Sequence, residues 1–210
     1  MEKVFIAHKT KKGKTQTVAE HLFETAEMSE QFSSKIGMPK MGYLVGLLHD
    51  FGKYSDEFYK RIMEDGEKCD HSTAGAQYLS SIFKNTSLNT QKCWVPILEL
   101  LILSHHGGLL DEITPSGETP RLARLEKEVY LTKDIKNADL KVLKQVEELA
   151  KYNFDKEFIP IFQKIKETNS TDKTALFTLS LLTKFLFSCL IDADRKSTIK
   201  FENTEEKLSE

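Results

Sequence analysis

The sequence predicts an all-α fold, because apolar residues recur at helical spacing along most of the 210-residue chain. No long alternating run of β-branched residues, which would indicate strands, appears in it. Only five prolines and ten glycines interrupt the chain, which leaves room for long helices. These observations favour one domain over residues 1–210, long enough to bury a sizeable core.

Capping signals place several of the helices. Thr17 and Glu20 have the spacing of a capping box, and Asp70 or Ser72 is positioned to cap a helix that begins at Thr73. Residues 109–120, with two prolines and a glycine, are expected to form a loop, and the polar tail at 196–210 is expected to fray or to lead into a further segment. The pattern predicts helices at about 17–36, 40–49, 55–63, 73–83, 94–104, 138–152, 156–168 and 171–194.

The composition is that of an ordinary globular protein with a net charge of −2, so any contact with nucleic acid must come from a local patch or from bound metal. The three cysteines form no CxxC pair, and the N-terminus has no signal-peptide pattern, which together favour a cytoplasmic setting. The apolar stretch 176–191 contains Lys184 and is interpreted as a buried core helix, so no membrane contact is expected.

The segment Gly46-Leu-Leu-His-Asp-Phe-Gly-Lys53 is the strongest chemical signal, because it joins His49 and Asp50 at a predicted helix end. His and Asp bind divalent metals, but neighbours on a helix lie about 100° apart and converge on one ion only near the end of a helix. Gly52 is expected to supply that end. Further candidates fall at other predicted helix ends, which meet at the poles of a bundle. They are His21, His71, His105, His106, Asp192 and Asp194.

Each of these residues has a structural alternative. Any one histidine alone is as readily a capping or core residue, and it is the consistency of the set that favours metal binding. His8 precedes a basic segment, 9–14, and is expected to be solvated or to support a ligand. Asp192 and Asp194 cannot both face the site, since two residues advance about 200° around a helix.

The motifs around these residues resemble the HD metal-dependent phosphohydrolase superfamily, which ends its ligand pattern in Ala-Asp, here Ala193-Asp194. The segments DHSTAGA at 70–76 and SHHGG at 104–108 further resemble the HD nuclease domain of the CRISPR-associated helicase-nuclease of type I systems. The resemblance spans about residues 7–195. It departs at Lys196-Ser197-Thr198, where that domain often has Asp-Thr-Glu, and this region is expected to be peripheral to the ligands.

The resemblance implies an HD-domain helical bundle with a metal site at one pole and two divalent ions, such as Mn, Mg, Co or Ni. Asp50 is expected to bridge the ions. Lys53 is expected to neutralise the scissile phosphate or to orient water, and its structural alternative is a favourable charge at the C-terminal end of a helix. The first ion is assigned to His21, His49, Asp50 and Asp194, and the second to Asp50, His71, His105 and His106.

The implied activity is hydrolysis of single-stranded DNA, endo- or exonucleolytic, in CRISPR interference. The resemblance implies that a superfamily 2 helicase domain or subunit, within an RNA-guided surveillance complex, delivers the strand, and that the tail at 196–210 is a candidate link to it. The chain itself has no GxxxxGK[ST] loop, so it is expected to be either a stand-alone HD subunit or an excised N-terminal domain. The alternative enzyme class is an HD phosphohydrolase that acts on small nucleotides. A non-enzymatic helical binding module with a vestigial metal site is disfavoured, because no expected ligand is replaced.

Overall fold

The computed structural model describes residues 3–84, 90–128 and 131–203, and within these ranges the chain forms ten α-helices and one β-hairpin. The all-α prediction is confirmed. The helices are α1 Val18–Ser33, α2 Pro39–Leu48, α3 Asp56–Glu64, α4 Thr73–Phe83, α5 Gln91–Ser104, α6 Pro120–Leu125, α7 Leu131–Asn137, α8 Leu140–Ala150, α9 Asp155–Thr168 and α10 Asp172–Asn203.

The hairpin pairs β1 Ile6–Lys9 with β2 Thr15–Thr17 in antiparallel register, with His8 opposite Gln16. The sequence pattern does not predict it, because strands of four and three residues are too short to show a period of two. The helices α6 and α7 are likewise short and were not predicted.

The predicted capping box at the start of α1 is confirmed. The Thr17 hydroxyl accepts a hydrogen bond from the Glu20 amide at 3.1 Å, and the Glu20 carboxylate accepts one from the Thr17 amide at 2.8 Å. At α4, Asp70 is the capping side chain, since its carboxylate accepts from the Thr73 amide at 3.1 Å, whereas Ser72 makes no side-chain cap. Both starts therefore depend on local chemistry that the sequence displays.

Helix α2 lies at the centre of the bundle, in contact with α1, α4, α5, α8, α9 and α10. Its apolar side chains are nearly all buried, including Leu44, Leu47 and Leu48. Because the rest of the domain packs around α2, the residues that follow its last turn lie inside the protein rather than in a surface loop.

Helix α10 differs from its prediction in two ways. It continues to Asn203, nine residues beyond the expected end, and Ser197 and Phe201 are buried against the bundle; residues 204–210 lie outside the described part. Its first half is not a buried core helix, because Leu176, Phe177 and Phe185 are 66%, 64% and 62% exposed. By length and composition alone α10 could cross a membrane. Apolar periodicity identifies a helix face but does not reveal whether anything covers it.

Replacing Asp134 with asparagine is expected to make the protein more stable at alkaline pH. Asp134 is 3% exposed, and its Oδ1 atom has no hydrogen-bond partner among the described residues. Burial, together with the nearby Glu57 and Asp56, raises the pKa of this carboxyl to about 7. Between about pH 4 and pH 7 the folded chain therefore holds a proton that the unfolded chain has lost, so stability falls as pH rises through this window.

The measurement is thermal unfolding at pH 4 and at pH 8. We expect Asp134→Asn to match the wild type at pH 4 and to exceed it at pH 8 by on the order of 1 kcal/mol, or ~2–4 °C, once solvent screening of the carboxyl is allowed for. Asp111→Asn, at an exposed position, is the matched control and should show no such difference. An equal effect of Asp134→Asn at both pH values would contradict the expectation.

Candidate metal centre

Helix ends bring most of the candidate ligands to one pole of the bundle, and Asp194 joins them from within α10, nine residues before the end of that helix. They are His21 in the first turn of α1, His49 and Asp50 directly after α2, His71 before α4, His105 and His106 after α5, and Asp194 in α10. Their ligand atoms form two groups, and within each group all atoms lie within 4.8 Å of one another. The two groups have the same membership as the two ion sites predicted from the sequence.

The turn after α2 places His49 and Asp50 on the same side. Helix α2 ends at Leu48, and Asp50 leaves the helical conformation with φ −111° and ψ 21°. Gly52 does not end the helix by a left-handed conformation, as the sequence suggested. Its role is close approach, because a Cβ atom there would lie 2.4 Å from the carbonyl oxygen of His71. Gly52 therefore lets the segment that carries His71 pack directly beneath Asp50.

Asp50 belongs to both groups, and each of its carboxylate oxygens faces a different one. Oδ1 lies 3.1 Å from His105 Nε2 and 3.4 Å from His71 Nε2. Oδ2 lies 3.1 Å from His21 Nε2 and 3.3 Å from His49 Nε2. A carboxylate with one oxygen toward each of two ligand sets has the geometry of a bridge between two cations.

The two aspartates near the end of α10 have different surroundings. Asp194 Oδ1 lies 3.3 Å from His21 Nε2 and 3.6 Å from His49 Nε2. Asp192 is exposed. The structure thus brings Asp194 into the first group and leaves Asp192 outside it, which is the arrangement expected from the Ala-Asp pattern.

Three of the histidines are oriented by the ring nitrogen that faces away from Asp50. Each Nδ1 lies within hydrogen-bond distance of a backbone carbonyl oxygen, which can only accept, so Nδ1 donates, and in the neutral ring Nε2 carries the lone pair. The acceptors are Gly46 for His49 at 2.7 Å, Ile102 for His105 at 2.6 Å and Cys69 for His71 at 3.1 Å. Metal-binding histidines are typically held in this way.

The positions of the histidine Nε2 atoms at the centre of the site are compatible with a bound cation. His49 Nε2 is buried and makes no hydrogen bond to any described residue, although two carboxylate oxygens lie near it. The Nε2 atoms of His71 and His106 approach to 2.5 Å, closer than two lone pairs can rest without a shared proton or cation. An imidazole and carboxylate set without thiolate disfavours a structural zinc site and is compatible with a divalent metal ion.

The charges at this pole also favour a cation. Burial would raise the pKa of Asp50, but Lys53 and His49 hold it well below its usual value, so the carboxyl stays ionised. Burial would lower the pKa of His49, but Asp50 and Asp194 raise it to about 10, so these two carboxylates stabilise a positive charge at this ring, and a metal ion at Nε2 would take the place of a proton. Burial lowers the pKa of His71 to about 4, so that imidazole is neutral and free to bind metal at neutral pH.

Lys53 lies in a 3-10 turn, Phe51–Tyr54, and is 4% exposed. Its ammonium lies 2.8 Å from Asp50 Oδ2 and 3.3 Å from His8 Nε2. The structure thus places Lys53 against the carboxylate that both groups share; its contact with a phosphate or water stays a prediction.

His8 is not solvated, which corrects one of the two expectations for it. The residue is half-buried, and its ring centroid lies 4.7 Å from that of His21. Burial, with Lys53 nearby, lowers the pKa of His8 to about 3, so the neutral ring accepts the hydrogen bond from Lys53. His8 therefore accepts a hydrogen bond from Lys53 and packs against His21, a candidate metal ligand.

Ser197 was missed by the sequence reasoning, which treated 196–198 as peripheral. Its hydroxyl is fully buried, lies 3.2 Å from His21 Nδ1 and donates to the Glu24 carboxylate at 3.0 Å. Where the resembling domain has Thr in its Asp-Thr-Glu run, this chain keeps a hydroxyl at the same position. The helical spacing of Asp194, Ser197 and Phe201 is the signal that could have placed it on the inner face of α10.

Replacing His106 with alanine is expected to weaken binding in the second group only. The His106 side chain is 53% exposed, so its removal should leave the fold intact, and its Nε2 lies 3.7 Å from Asp50 Oδ1. The metal concentration that gives half of the Mn²⁺-induced rise in melting temperature should increase about tenfold or more, because even supporting residues of metal sites contribute roughly 10–100-fold to affinity. A titration curve identical to that of the wild type would place His106 outside the ligand set.

Comparison with known proteins agrees with this arrangement. The family model described as HD domain matches residues 18–144, a range that contains every candidate ligand except Asp194. The chain is also 27% identical over 147 residues to the [1-hydroxy-2-(trimethylamino)ethyl]phosphonate dioxygenase (glycine-betaine-forming) of Leisingera caerulea. That alignment covers 61% of this chain and 73% of the relative.

Proposed function

Because this chain belongs to the HD domain family of metal-dependent hydrolases, we propose that it is a nuclease that hydrolyses phosphodiester bonds of single-stranded DNA. The observation that carries the proposal is Asp50, which presents one oxygen to each of two ligand groups. Two divalent ions held in such groups supply Lewis-acid stabilisation of phosphoryl charge and lower the pKa of bound water.

The chain's own residues prepare the site for this chemistry. Lys53 keeps Asp50 ionised and fixes its Oδ2 atom, and the backbone carbonyls behind the histidines fix the ring planes. His106 is half exposed and Asp194 is 18% exposed, so one side of the centre is open to a substrate while Asp50 stays buried. The positions of these groups are set before substrate binds, which lowers the cost of reaching the transition state.

An open cleft adjoins the second ligand group. It measures about 300 Å³ and is lined by His71, His106, Gly107, Gly108 and Arg124, among others. The glycines place no side chain over the entrance, so a flexible strand can lie across it. A stiff duplex would reach a concave site of this size less easily, and the chain's net charge of −2 provides no broad surface to hold one.

The more specific assignment, to type I CRISPR interference, rests on the resemblance of the DHSTAGA and SHHGG segments. In this proposal the substrate is the strand displaced by an RNA-guided surveillance complex. A superfamily 2 helicase domain or subunit would supply the strand, and the setting would be cytoplasmic. Each of these partners is a proposal beyond the family assignment.

Two other activities compete with the nuclease. The similarity to a phosphonate dioxygenase favours oxidation of a small phosphonate as a second candidate. Hydrolysis of small nucleotides is the third, and it would need contacts to the base, whereas the cleft beside His71 and His106 is open.

One substrate panel separates these activities. The purified chain would be assayed with Mn²⁺, Co²⁺ or Ni²⁺ on circular single-stranded DNA, blunt duplex and free nucleotides. It would also be assayed with Fe²⁺ and O₂ on [1-hydroxy-2-(trimethylamino)ethyl]phosphonate. We expect cleavage of the circular single strand, loss of this activity in EDTA and its recovery when metal is restored.

Other outcomes would replace the proposal. Equal rates on single strand and duplex would contradict the preferred substrate, and efficient turnover of free nucleotides would favour the small-molecule phosphohydrolase. Formation of glycine betaine from the phosphonate would favour the oxygenase.

A further inference from the structure

We propose that the β-hairpin at residues 6–17 is a binding surface for the phosphate backbone of single-stranded DNA, which it guides to the metal centre. This inference rests on the proposed nuclease function and assigns the part of the chain that would hold a polymeric substrate. Lysine clusters are common on protein surfaces, so the position and surroundings of this cluster decide its role.

The hairpin concentrates positive charge in a chain that is slightly acidic as a whole. Lys9, Lys11, Lys12 and Lys14 occupy four of the six positions in 9–14. None of residues 4–19 is acidic, although the net charge of the chain is −2. The hairpin is therefore a local basic patch, which is one of the two kinds of nucleic-acid contact, together with bound metal, that the composition allows.

The hairpin is attached to the wall of the metal centre. On β1, His8 lies with its ring 4.7 Å from that of His21 and its Nε2 3.3 Å from Lys53 Nζ. Lys11 follows His8 by three residues, so their Cα atoms are at most about 10 Å apart. The turn that carries the lysines therefore begins within about 10 Å of a residue that contacts both His21 and Lys53.

The turn is held in a defined shape. The Thr10 amide donates to the Lys14 carbonyl at 2.9 Å, and the Gly13 amide donates to the Thr10 carbonyl at 3.0 Å. Lys14 Nζ donates to the Phe201 carbonyl at 2.8 Å and lies 4.5 Å above the Phe201 ring. Because the hairpin is fixed to the end of α10, little conformational entropy remains to be lost when it binds a strand.

Three of the hairpin's ammonium groups remain available to a ligand. Lys9, Lys11 and Lys12 are exposed, and none of the ion pairs within the described ranges involves them. The acids that follow the hairpin in sequence are already engaged: Glu20 caps α1, and Glu24 accepts from Gln16 at 3.1 Å and from Ser197 at 3.0 Å. A phosphate backbone would therefore meet ammonium groups rather than internal ion pairs.

Phosphate binding by these lysines predicts how different substrates should behave. Lysine binds phosphate as a point charge without reading bases, so affinity should be independent of sequence and dependent on salt. A small phosphodiester can occupy the metal centre without reaching the turn. The hairpin should thus matter for a polymer and not for a small substrate.

The test compares Lys11→Ala/Lys12→Ala with the wild type. Binding of a fluorescein-labelled dT20 oligonucleotide would be measured by anisotropy in EDTA over a range of salt concentrations, so that it does not depend on cleavage. Log affinity should fall less steeply with log salt in the variant, by about 1.4 in slope if each lysine contacts one phosphate. The rate on bis(p-nitrophenyl) phosphate with Mn²⁺ should not change.

The matched control is Lys164→Ala/Lys173→Ala, which removes the same charge from two exposed positions. Lys164 lies on α9, and Lys173 lies 21 residues before Asp194 on α10, about 32 Å along that helix. This control should bind as the wild type does.

The binding and cleavage assays decide two separate questions. An unchanged slope and affinity in the Lys11→Ala/Lys12→Ala variant would overturn the inference while leaving the nuclease function in place. A wild type that binds dT20 through these lysines but does not cut circular single-stranded DNA would overturn the nuclease proposal and keep the binding surface.

Discussion

In the proposed two-ion nuclease, Asp50→Ala is expected to abolish metal-dependent cleavage and to remove both ions. Its two carboxylate oxygens face the two ligand groups separately, so one substitution removes a charged ligand from each. Loss of one transition-state donor typically costs roughly 10²–10³ in rate, and a residue that serves both groups should cost at least about 10³. The measurements are the cleavage rate on circular single-stranded DNA and the bound metal, determined by elemental analysis.

Stability must be separated from metal binding in this test. Asp50 is buried and paired with Lys53 at 2.8 Å, so alanine leaves a buried ammonium without its partner. Asp50→Asn keeps the volume and serves as the second variant. Mn²⁺ should raise the melting temperature of the wild type but of neither variant, because only a folded state that binds metal is stabilised by it. Asp111→Ala, at an exposed position, should behave as the wild type does.

Robust cleavage by either Asp50 variant at saturating Mn²⁺ would contradict the bridging role. Finding two bound metal ions per chain in Asp50→Asn would also contradict the bridging role.

The sequence was sufficient for the parts of the fold that local chemistry decides. The Thr17 and Glu20 capping box starts α1 as predicted, and Asp70 closes the start of α4. For the capping residues the information lies within a few residues of the element concerned. The two ligand groups were instead assigned with the help of the resemblance to the HD superfamily, and the structure brings the same residues together.

What the sequence could not supply depends on contacts between distant segments. Gly52 was interpreted as a helix end, whereas its function is the close approach of the His71 backbone. His8 was expected to be solvated or supporting, and only the pairing of β1 with β2 reveals that it lies against His21 and Lys53. Neither the close approach of two backbone segments nor a contact between residues far apart in the chain produces a pattern in the neighbouring sequence.

The burial of residues along helix α10 was also not predictable from the sequence. Its apolar first half was interpreted as core, yet Phe177 and Phe185 are exposed. Its polar second half was interpreted as a fraying tail, yet Ser197 is buried beside His21. Composition describes a segment, whereas burial depends on what the rest of the chain packs against it.

The position of Asp194 on this helix leads to a second expected loss of function. Asp194→Asn should remove most bound metal from the first group and reduce cleavage by roughly 10²–10³. Its Oδ1 atom lies between His21 Nε2 at 3.3 Å and His49 Nε2 at 3.6 Å. Those histidines hold the pKa of Asp194 well below its usual value, so asparagine removes a charge that the site uses at every working pH.

Asp192→Asn is the matched control for this prediction, since it makes the same chemical change two residues away on the same helix. Asp192 is exposed and belongs to neither ligand group, so this variant should keep most of its metal and activity. Both variants should retain the helical circular-dichroism spectrum of the wild type, which confines any difference between them to the metal centre. If Asp192→Asn lost metal and activity while Asp194→Asn kept both, α10 would have to enter the site in another register, with Ser197 no longer facing His21.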